Sequence, residues 1–379
     1  MSLSSDIKEY ALNLGFTRAG LCPADDFTDH LRETAGRGDD YAFHLHRPGL
    51  PLSDCHPRRI MPGARSIAVL ALDYARVAFP EKLSRMVGRI YQARCYNPPA
   101  DSLNGARLEL MGRFLSGRGL KVNYSQAVPA RPAGARAGII DFGRNTFAYA
   151  GRHGSFIVLY TFLLDKELDY DRPTLKSRCP PDCRACQEAC PTGALAAPFI
   201  LKPLLCLAFN AWKTQPATGN GISAYIPAAI REKMAAHIHG CDLCQAACPR
   251  NRRKVEDRFP EDPFLKLLDD DFSLSRVLAM PESFFEKRIR PIMYNYIQEP
   301  KYFQRNAAVA LGNQGDPDSG PELVRALGSP HDIVRGHAAW ALGKIGGKKS
   351  AAALEAALNG EPDGEVKREM LSAREALAV

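Results

Sequence analysis

The chain has 379 residues, 45% of them hydrophobic and 24% charged, with a formal net charge of +8. That length allows about two or three domains, and the composition excludes bulk disorder while permitting a sizeable core. No run approaches about 18 uninterrupted apolar residues, so no transmembrane helix is expected, and the opening MSLSSDIKEY lacks a basic-then-apolar signal, so the expected location is the cytoplasm.

In chain order, SSDIKEYALNLG reads as a helix with Ser5 as N-cap and Gly15 as its stop, placing Ile7, Ala11 and Leu14 on one face. SIAVLALDY (Ser66–Tyr74) has strand character, SLNGARLELMGRFLSGRG reads as a helix ending near Gly117 or Gly119, and GSFIVLYTFLL (Gly154–Leu164) is a buried strand. This alternation predicts a mixed α+β or α/β domain, a sheet with flanking helices, over residues 1–168. The polar stretch DKELDYDRPTLKSR marks its end. A cysteine-rich module follows within 169–260, with two short helical stretches inside it. Residues 261–379 contain an internal repeat: RNAAVALGNQG (Arg305–Gly315) matches GHAAWALGKIG (Gly336–Gly346) at an offset of 31, and SGPELVRALG matches SAAALEAALN at the same offset. Small apolar residues at helical spacing with glycine breaks predict stacked helix pairs of the HEAT type.

Charge is unevenly spread. Between Gly105 and His153 stand Arg107, Arg113, Arg118, Lys121, Arg131, Arg136, Arg144 and Arg152 against only Glu109 and Asp141. Such an excess suits a polyanionic ligand, with a solvated surface as the alternative. Arg288, Arg290, Lys301, Arg305, Arg325, Arg335, Lys344, Lys348 and Lys349 would make part of a concave repeat face basic.

Eight of the eleven cysteines fall between Cys179 and Cys248. In a reducing compartment such clustering points to metal rather than disulfides, and Cys22, Cys55 and Cys95 read as structural. The spacing is C-x3-C-x2-C-x3-C-P, then Cys206, then C-x2-C-x3-C-P. Zinc with C-x2-C knuckles is one reading. The prolines after Cys190 and Cys248, and a count of eight thiolates, favour two [4Fe–4S] clusters of the ferredoxin kind, in which the fourth cysteine of each run crosses to the other cluster. That rule assigns Cys179, Cys183, Cys186 and Cys248 to one cluster and Cys190, Cys206, Cys241 and Cys244 to the other. The first gap, CPPDC, holds three residues rather than two, which makes Cys179 the irregular ligand. Two such clusters carry electrons singly and need another centre as their terminus.

Several stretches together resemble the epoxyqueuosine reductase family: ACPTGAL (Ala189–Leu195), GCDLCQAACPRN (Gly240–Asn251), QRNAAVALGN (Gln304–Asn313), VRGHAAWALGKIG (Val334–Gly346), RAGIIDFGRN (Arg136–Asn145), HGSF (His153–Phe156) and MPGARSIAVLAL (Met61–Leu72). The resemblance spans nearly the whole chain. It implies an N-terminal cobalamin-type domain, a central two-cluster ferredoxin-like module and a C-terminal all-α HEAT-like domain. It also implies reduction of an epoxide on a modified tRNA base to queuosine, with the clusters supplying electrons to cobalamin held base-off. The implied partners are tRNA, docked through basic N-terminal and HEAT-like surfaces, and an external electron donor of the ferredoxin or flavodoxin type. No membrane partner is implied, and the protein is expected to be a monomer. For the corrinoid, the resemblance implicates Gly143, Asn145, His153 and Ser155, with Asp242 between cluster ligands. His153 also reads as a structural histidine, and HIH (His237–His239) as pocket lining.

The substrate parts depart from the family. Opening an epoxide leaves an alkoxide, so a proton donor is needed. The family's aspartate falls on Tyr124 in NYSQAVPARPAGARAGII (Asn123–Ile140), and a family cysteine near the substrate falls on Gln92. The family's segment before GCD is here longer and carries TQPATGNGISAYIP, read as a loop over a pocket. Tyr124 is either a replacement proton donor or a neutral pocket residue. Three functions follow: the family's own reductase, a paralogue with corrinoid and clusters acting on another substrate, and an electron-transfer protein without catalysis.

Overall fold

The computed structural model describes residues 2–41, 55–96, 98–125, 127–212, 223–256, 258–292 and 299–377. The chain folds as two compact units, each assembled from separated segments: residues 1–77, 93–204 and 243–260 in the first, and 78–92, 205–242 and 261–379 in the second. The architecture is mixed α/β with a helical, HEAT-like C-terminal region.

The first unit is built on a four-stranded antiparallel sheet in the order β1 (Arg18–Pro23), β2 (Ser66–Asp73), β6 (Ile157–Leu164), β3 (Val122–Tyr124). All eight residues of β2 are buried, because both of its faces are covered. Ile67, Val69 and Ala71 pack in one core with Ala133 and Ala137 of the Ala130–Arg136 helix and its C-terminal end. Alternate residues face the other way, as strand geometry requires. The helices Leu3–Asn13 and Leu103–Gly117 lie against β1 and β3 and pair through Tyr10 and Phe114, stacked at 4.0 Å. The N-cap of the first helix is Ser2, whose hydroxyl accepts from Ser5 N–H, so Ser5 lies inside the helix rather than capping it. Ser2 supplies the oxygen that the first free N–H groups need. Gly15 takes φ +92° just beyond the helix, where only glycine is unstrained. A small second sheet pairs β4 (Asp141–Phe142) with β5 (Ala148–Tyr149).

The second unit stacks the helices Pro300–Gln314, Gly320–Ala326, Asp332–Ile345, Lys348–Leu358 and Gly364–Leu377. The two repeats seen at offset 31 occupy the helices Pro300–Gln314 and Asp332–Ile345, which pack on each other. Gly312 permits that approach: a Cβ there would sit 2.8 Å from the Ala341 Cα.

The positive charges expected on the repeat face are largely engaged. Arg305 is wholly buried, donating to the carbonyls of Ala224, Asn210 and Ala211, and its burial lowers the guanidinium pKa to about 9. It therefore adds nothing to a basic surface, contrary to the reading from sequence. Arg288 pairs with Asp271, Arg290 with Glu286, Lys301 with Glu299, Arg325 with Glu322, Arg335 with Glu361 and Lys344 with Glu232. In the first unit, Arg113 pairs with Glu109 and Arg118 with Asp6, while Arg107 and Arg136 donate to backbone carbonyls. No helix among the described residues is long and apolar enough to cross a membrane.

Candidate metal centre

Cysteine chemistry depends on where each sulfur is held. Cys22, Cys55 and Cys95 are buried in the first unit, and burial raises the Cys22 thiol to about 12 and pushes Cys95 up as well. Cys22 and Cys95 are therefore inert thiols at neutral pH.

The first cysteine run is laid down by short turns and hydrogen bonds. Ser177 Oγ donates to the Phe142 carbonyl at 2.6 Å and accepts the Cys179 N–H at 3.1 Å, while Arg178 N–H reaches Asp141 Oδ1 at 3.2 Å. The chain entering Cys179 is thus tied to β4. The irregular CPPDC gap closes as a turn, with Cys183 N–H on the Pro180 carbonyl at 3.2 Å. The extra residue is accommodated by this turn, and Cys179 returns beside the others. Cys186 sits on the short helix Ala185–Glu188. Its thiol is pushed up by burial and then by the thiols of Cys248, Cys179 and Cys183, so these four sulfurs share one neighbourhood. They are the four that the crossing rule groups together.

Among the described residues no three His, Cys, Asp or Glu side chains close around one point tightly enough for a single ion. The donor set around Cys186, four thiols with Cys186 itself included, has the chemistry of an iron–sulfur cluster's ligands.

Of the second set, Cys190 and Cys244 belong to the first unit, and Cys206 and Cys241 to the second. Burial opposes ionisation of Cys190, but the Thr192 hydroxyl and the backbone N–H groups of Leu195, Thr192 and Ala194 outweigh it and hold the thiol below its usual range. The ACPTGAL stretch is therefore a small cage of donors for a thiolate, with Gly193 at φ +66° making its bend. Within the second unit, Cys206 directly precedes the helix Leu207–Trp212, and Cys241 packs on Leu207, Ala211, Ile226, Ile230, Met234 and Val309.

The residues expected at the corrinoid are mostly committed to protein partners. A Cβ on Gly143 would meet the Tyr149 ring at 2.3 Å, so glycine is required there for packing. Asn145 donates to Tyr149 Oη at 3.0 Å and to the Cys244 carbonyl. Ser155 bonds Gln245 and Asn251, all buried. Asp242 accepts the Arg89 N–H at 2.7 Å. His153 Nδ1 lies 3.0 Å from Asp73 Oδ2, and Lys254 Nζ lies 2.6 Å from the same oxygen. Gly143, Asn145, His153 and Ser155 are thus gathered near the second cysteine run, but their side chains fit a corrinoid only in part.

Tyr124 lies elsewhere. It pairs with Phe162 on β6, whereas Asp73, the partner of His153, pairs with Ile157. Five residues of strand separate those positions, roughly 17 Å. The Tyr124 ring is half-exposed, against Phe162 and Tyr160 and beside Leu108 and Gly112 of the Leu103–Gly117 helix. Gln92 is buried in the second unit and donates to the Val87 carbonyl. His239 is buried between Tyr91 and Phe303, and burial depresses its pKa to about 3. Most of the segment read as a loop over a pocket (214–222 of 214–227) lies outside the described residues.

Two family models match: HEAT repeats over residues 293–375 and a 4Fe-4S double cluster binding domain over residues 178–251, a span that contains all eight clustered cysteines. The chain is 28% identical to epoxyqueuosine reductase of Bacillus subtilis (strain 168), covering 97% of this chain and 94% of that one. It is 26% identical to epoxyqueuosine reductase of Escherichia coli (strain K12), covering 94% and 93%. Among solved structures, epoxyqueuosine reductase with a tRNA-Tyr epoxyqueuosine-modified tRNA stem loop superposes with a TM-score of 0.83 at 27% identity, covering 100% of this chain and 99% of that one. Along nearly its whole length the chain is similar to epoxyqueuosine reductases.

The partners that tie the module down were not legible in the sequence. Asp141, Arg250 and Asn251 lie in stretches already singled out, but nothing in the spacing gives them partners, and only the fold places them and Tyr149 against Cys179, Ser155 and Cys248.

Proposed function

We propose that this protein is an iron–sulfur and cobalamin-dependent reductase that reduces epoxyqueuosine to queuosine in tRNA. The observation that carries this reading is the double-cluster cysteine set, retained in full within a chain alike from end to end to epoxyqueuosine reductases. A relative solved with an epoxyqueuosine-modified tRNA stem loop supports tRNA as the partner. In this reading residues 1–168 form the cobalamin and substrate domain, 169–260 the ferredoxin-like domain and 261–379 the HEAT-like domain. Cys179, Cys183, Cys186 and Cys248 hold one [4Fe–4S] cluster, and Cys190, Cys206, Cys241 and Cys244 the other. The protein works as a cytoplasmic monomer and draws electrons from a ferredoxin- or flavodoxin-type donor.

Cobalamin, when bound, supplies a strongly reduced metal centre able to attack the epoxide carbon. Gly143, Asn145, His153, Ser155 and Asp242 are the residues that would hold it, His153 oriented by Asp73, and Asn145 and Ser155 shaping the wall through the bonds they already make. The opening oxygen requires a proton; Tyr124 is at the family's acid position but stands five strand residues from the partner of His153, so it is either a replacement donor or a neutral pocket residue.

Anaerobic reconstitution with iron, sulfide and cobalamin, followed by an assay on epoxyqueuosine tRNA, tests the reading. The reduced wild-type protein should produce queuosine tRNA, and Tyr124→Phe should lose about 100-fold in rate if its proton is used. Equal rates would remove Tyr124 from the mechanism, and no turnover by wild type would sink the tRNA assignment. One observation favours a second reading, a paralogue acting on a smaller substrate: most of the cations of the repeat face are ion-paired within their own unit. That protein would bind cobalamin without binding the anticodon stem-loop.

A further inference from the structure

Arg250, the second residue after Cys248, has a side chain held in an unusual way for an exposed-sounding motif. Its Nη1 and Nη2 each lie 2.7 Å from an oxygen of Asp141, a carboxylate almost wholly buried on β4. The guanidinium carbon lies 4.0 Å from the centre of the Tyr149 ring. Nη1 also reaches Cys179 Sγ at 3.8 Å. Tyr149 continues the chain of contacts: its hydroxyl accepts from Asn145 Nδ2 at 3.0 Å and lies beside the Cys248 thiol. Of the four sulfurs, that of Cys179 therefore has a cationic donor fixed by the protein, and that of Cys248 has the Tyr149 hydroxyl beside it.

We propose that Arg250 and Tyr149 raise the reduction potential of the cluster held by Cys179, Cys183, Cys186 and Cys248. The proposal rests on the iron–sulfur reading given above. Reduction adds one electron, delivered by the external ferredoxin- or flavodoxin-type donor, and moves no proton. The added negative charge spreads over the sulfurs, so donors aimed at them stabilise the reduced form more than the oxidised one. Asp141 does not cancel the effect. Arg178 Nε lies 3.9 Å from the same carboxylate, so two guanidiniums share one carboxylate and a net positive charge remains. The carboxylate also locks the Arg250 fork, and such fixed outer partners are what tune a metal centre.

Arg250 and Tyr149 are positioning residues, so the readout is a potential. Wild type, Arg250→Met, Arg250→Lys and Tyr149→Phe are reconstituted anaerobically with iron and sulfide. Iron content is measured, and each protein is titrated potentiometrically with EPR detection. The expected result is one cluster shifted to lower potential in Arg250→Met and, by less, in Tyr149→Phe, with the other cluster unmoved and iron content unchanged. Arg250→Lys, which keeps the charge and loses the fork, should fall between wild type and Arg250→Met. If Arg250→Met fails to hold its iron, Arg250→Lys and Tyr149→Phe still decide. Wild-type potentials in the variants that keep full iron overturn the proposal. A wild-type protein that takes up no cluster defeats the iron–sulfur reading itself, a distinguishable failure.

Discussion

Arg335 and Glu361 show how one ion pair in the repeats responds to acid. The pair is largely buried and bidentate, with both contacts at 2.7 Å, and Glu361 also accepts the Asp363 N–H at 2.9 Å. The Arg335 hydrogen bond, opposed by burial and aided by the Asp363 N–H, holds the Glu361 carboxyl below its ordinary value of 4.5. The unfolded chain therefore binds more protons than the folded one just below that value. Stability from this group is full above about pH 4.5 and is lost as pH falls through the folded pKa. Replacing Glu361 by Ala should cost about 2 kcal/mol at pH 7, measured by urea unfolding. The difference between variant and wild type should shrink as the pH is lowered through that range. A pH-independent difference would show that packing, not charge, is what the substitution removes.

Helix packing in the second unit depends on residues without side chains. At Gly312 a Cβ would lie 2.8 Å from the Ala341 Cα and 2.9 Å from its Cβ, and at Gly343 one would lie 3.0 Å from Ala373. Gly312→Ala gains helix propensity of about 1 kcal/mol but forces apart two packed helices. Overpacking of this kind typically costs about 1–3 kcal/mol, so the net expectation is a loss of stability. Thermal unfolding of Gly312→Ala beside a control with open space, Gly320→Ala, checks it: nothing lies within 4 Å of a Cβ at Gly320. A more stable Gly312→Ala protein would show that these helices can slide at little cost.

For the molecule as a whole, eight clustered thiols imply about eight iron atoms per chain after reconstitution, four in each cluster. Cys183→Ser should reduce that to about four, measured as iron and acid-labile sulfide, while Cys22→Ser should leave iron unchanged because its thiol is buried and protonated. Loss of all iron in Cys183→Ser would mean that the clusters assemble together. Much of this protein was readable in one dimension. The cysteine runs, the repeat at offset 31 and the long strands β2 and β6 announce themselves, because ligand spacing and hydrophobic period are local properties. Strands β1, β3, β4 and β5 did not. β3, β4 and β5 have two or three residues each, and β1 has a mixed composition that only pairing with β2 makes a strand. The repeat-face cations were misread at Arg305 for the same reason, since a charge looks exposed until the fold encloses it. The sequence by itself determined which atoms can bind iron and how many clusters they could serve, because that depends on residue type and spacing. Only the tertiary structure decided that two compact units interleave along the chain, that Cys179 meets Arg250, and that Tyr124 stands five strand residues from the partner of His153. Those are contacts between residues distant in sequence, and no local pattern encodes them.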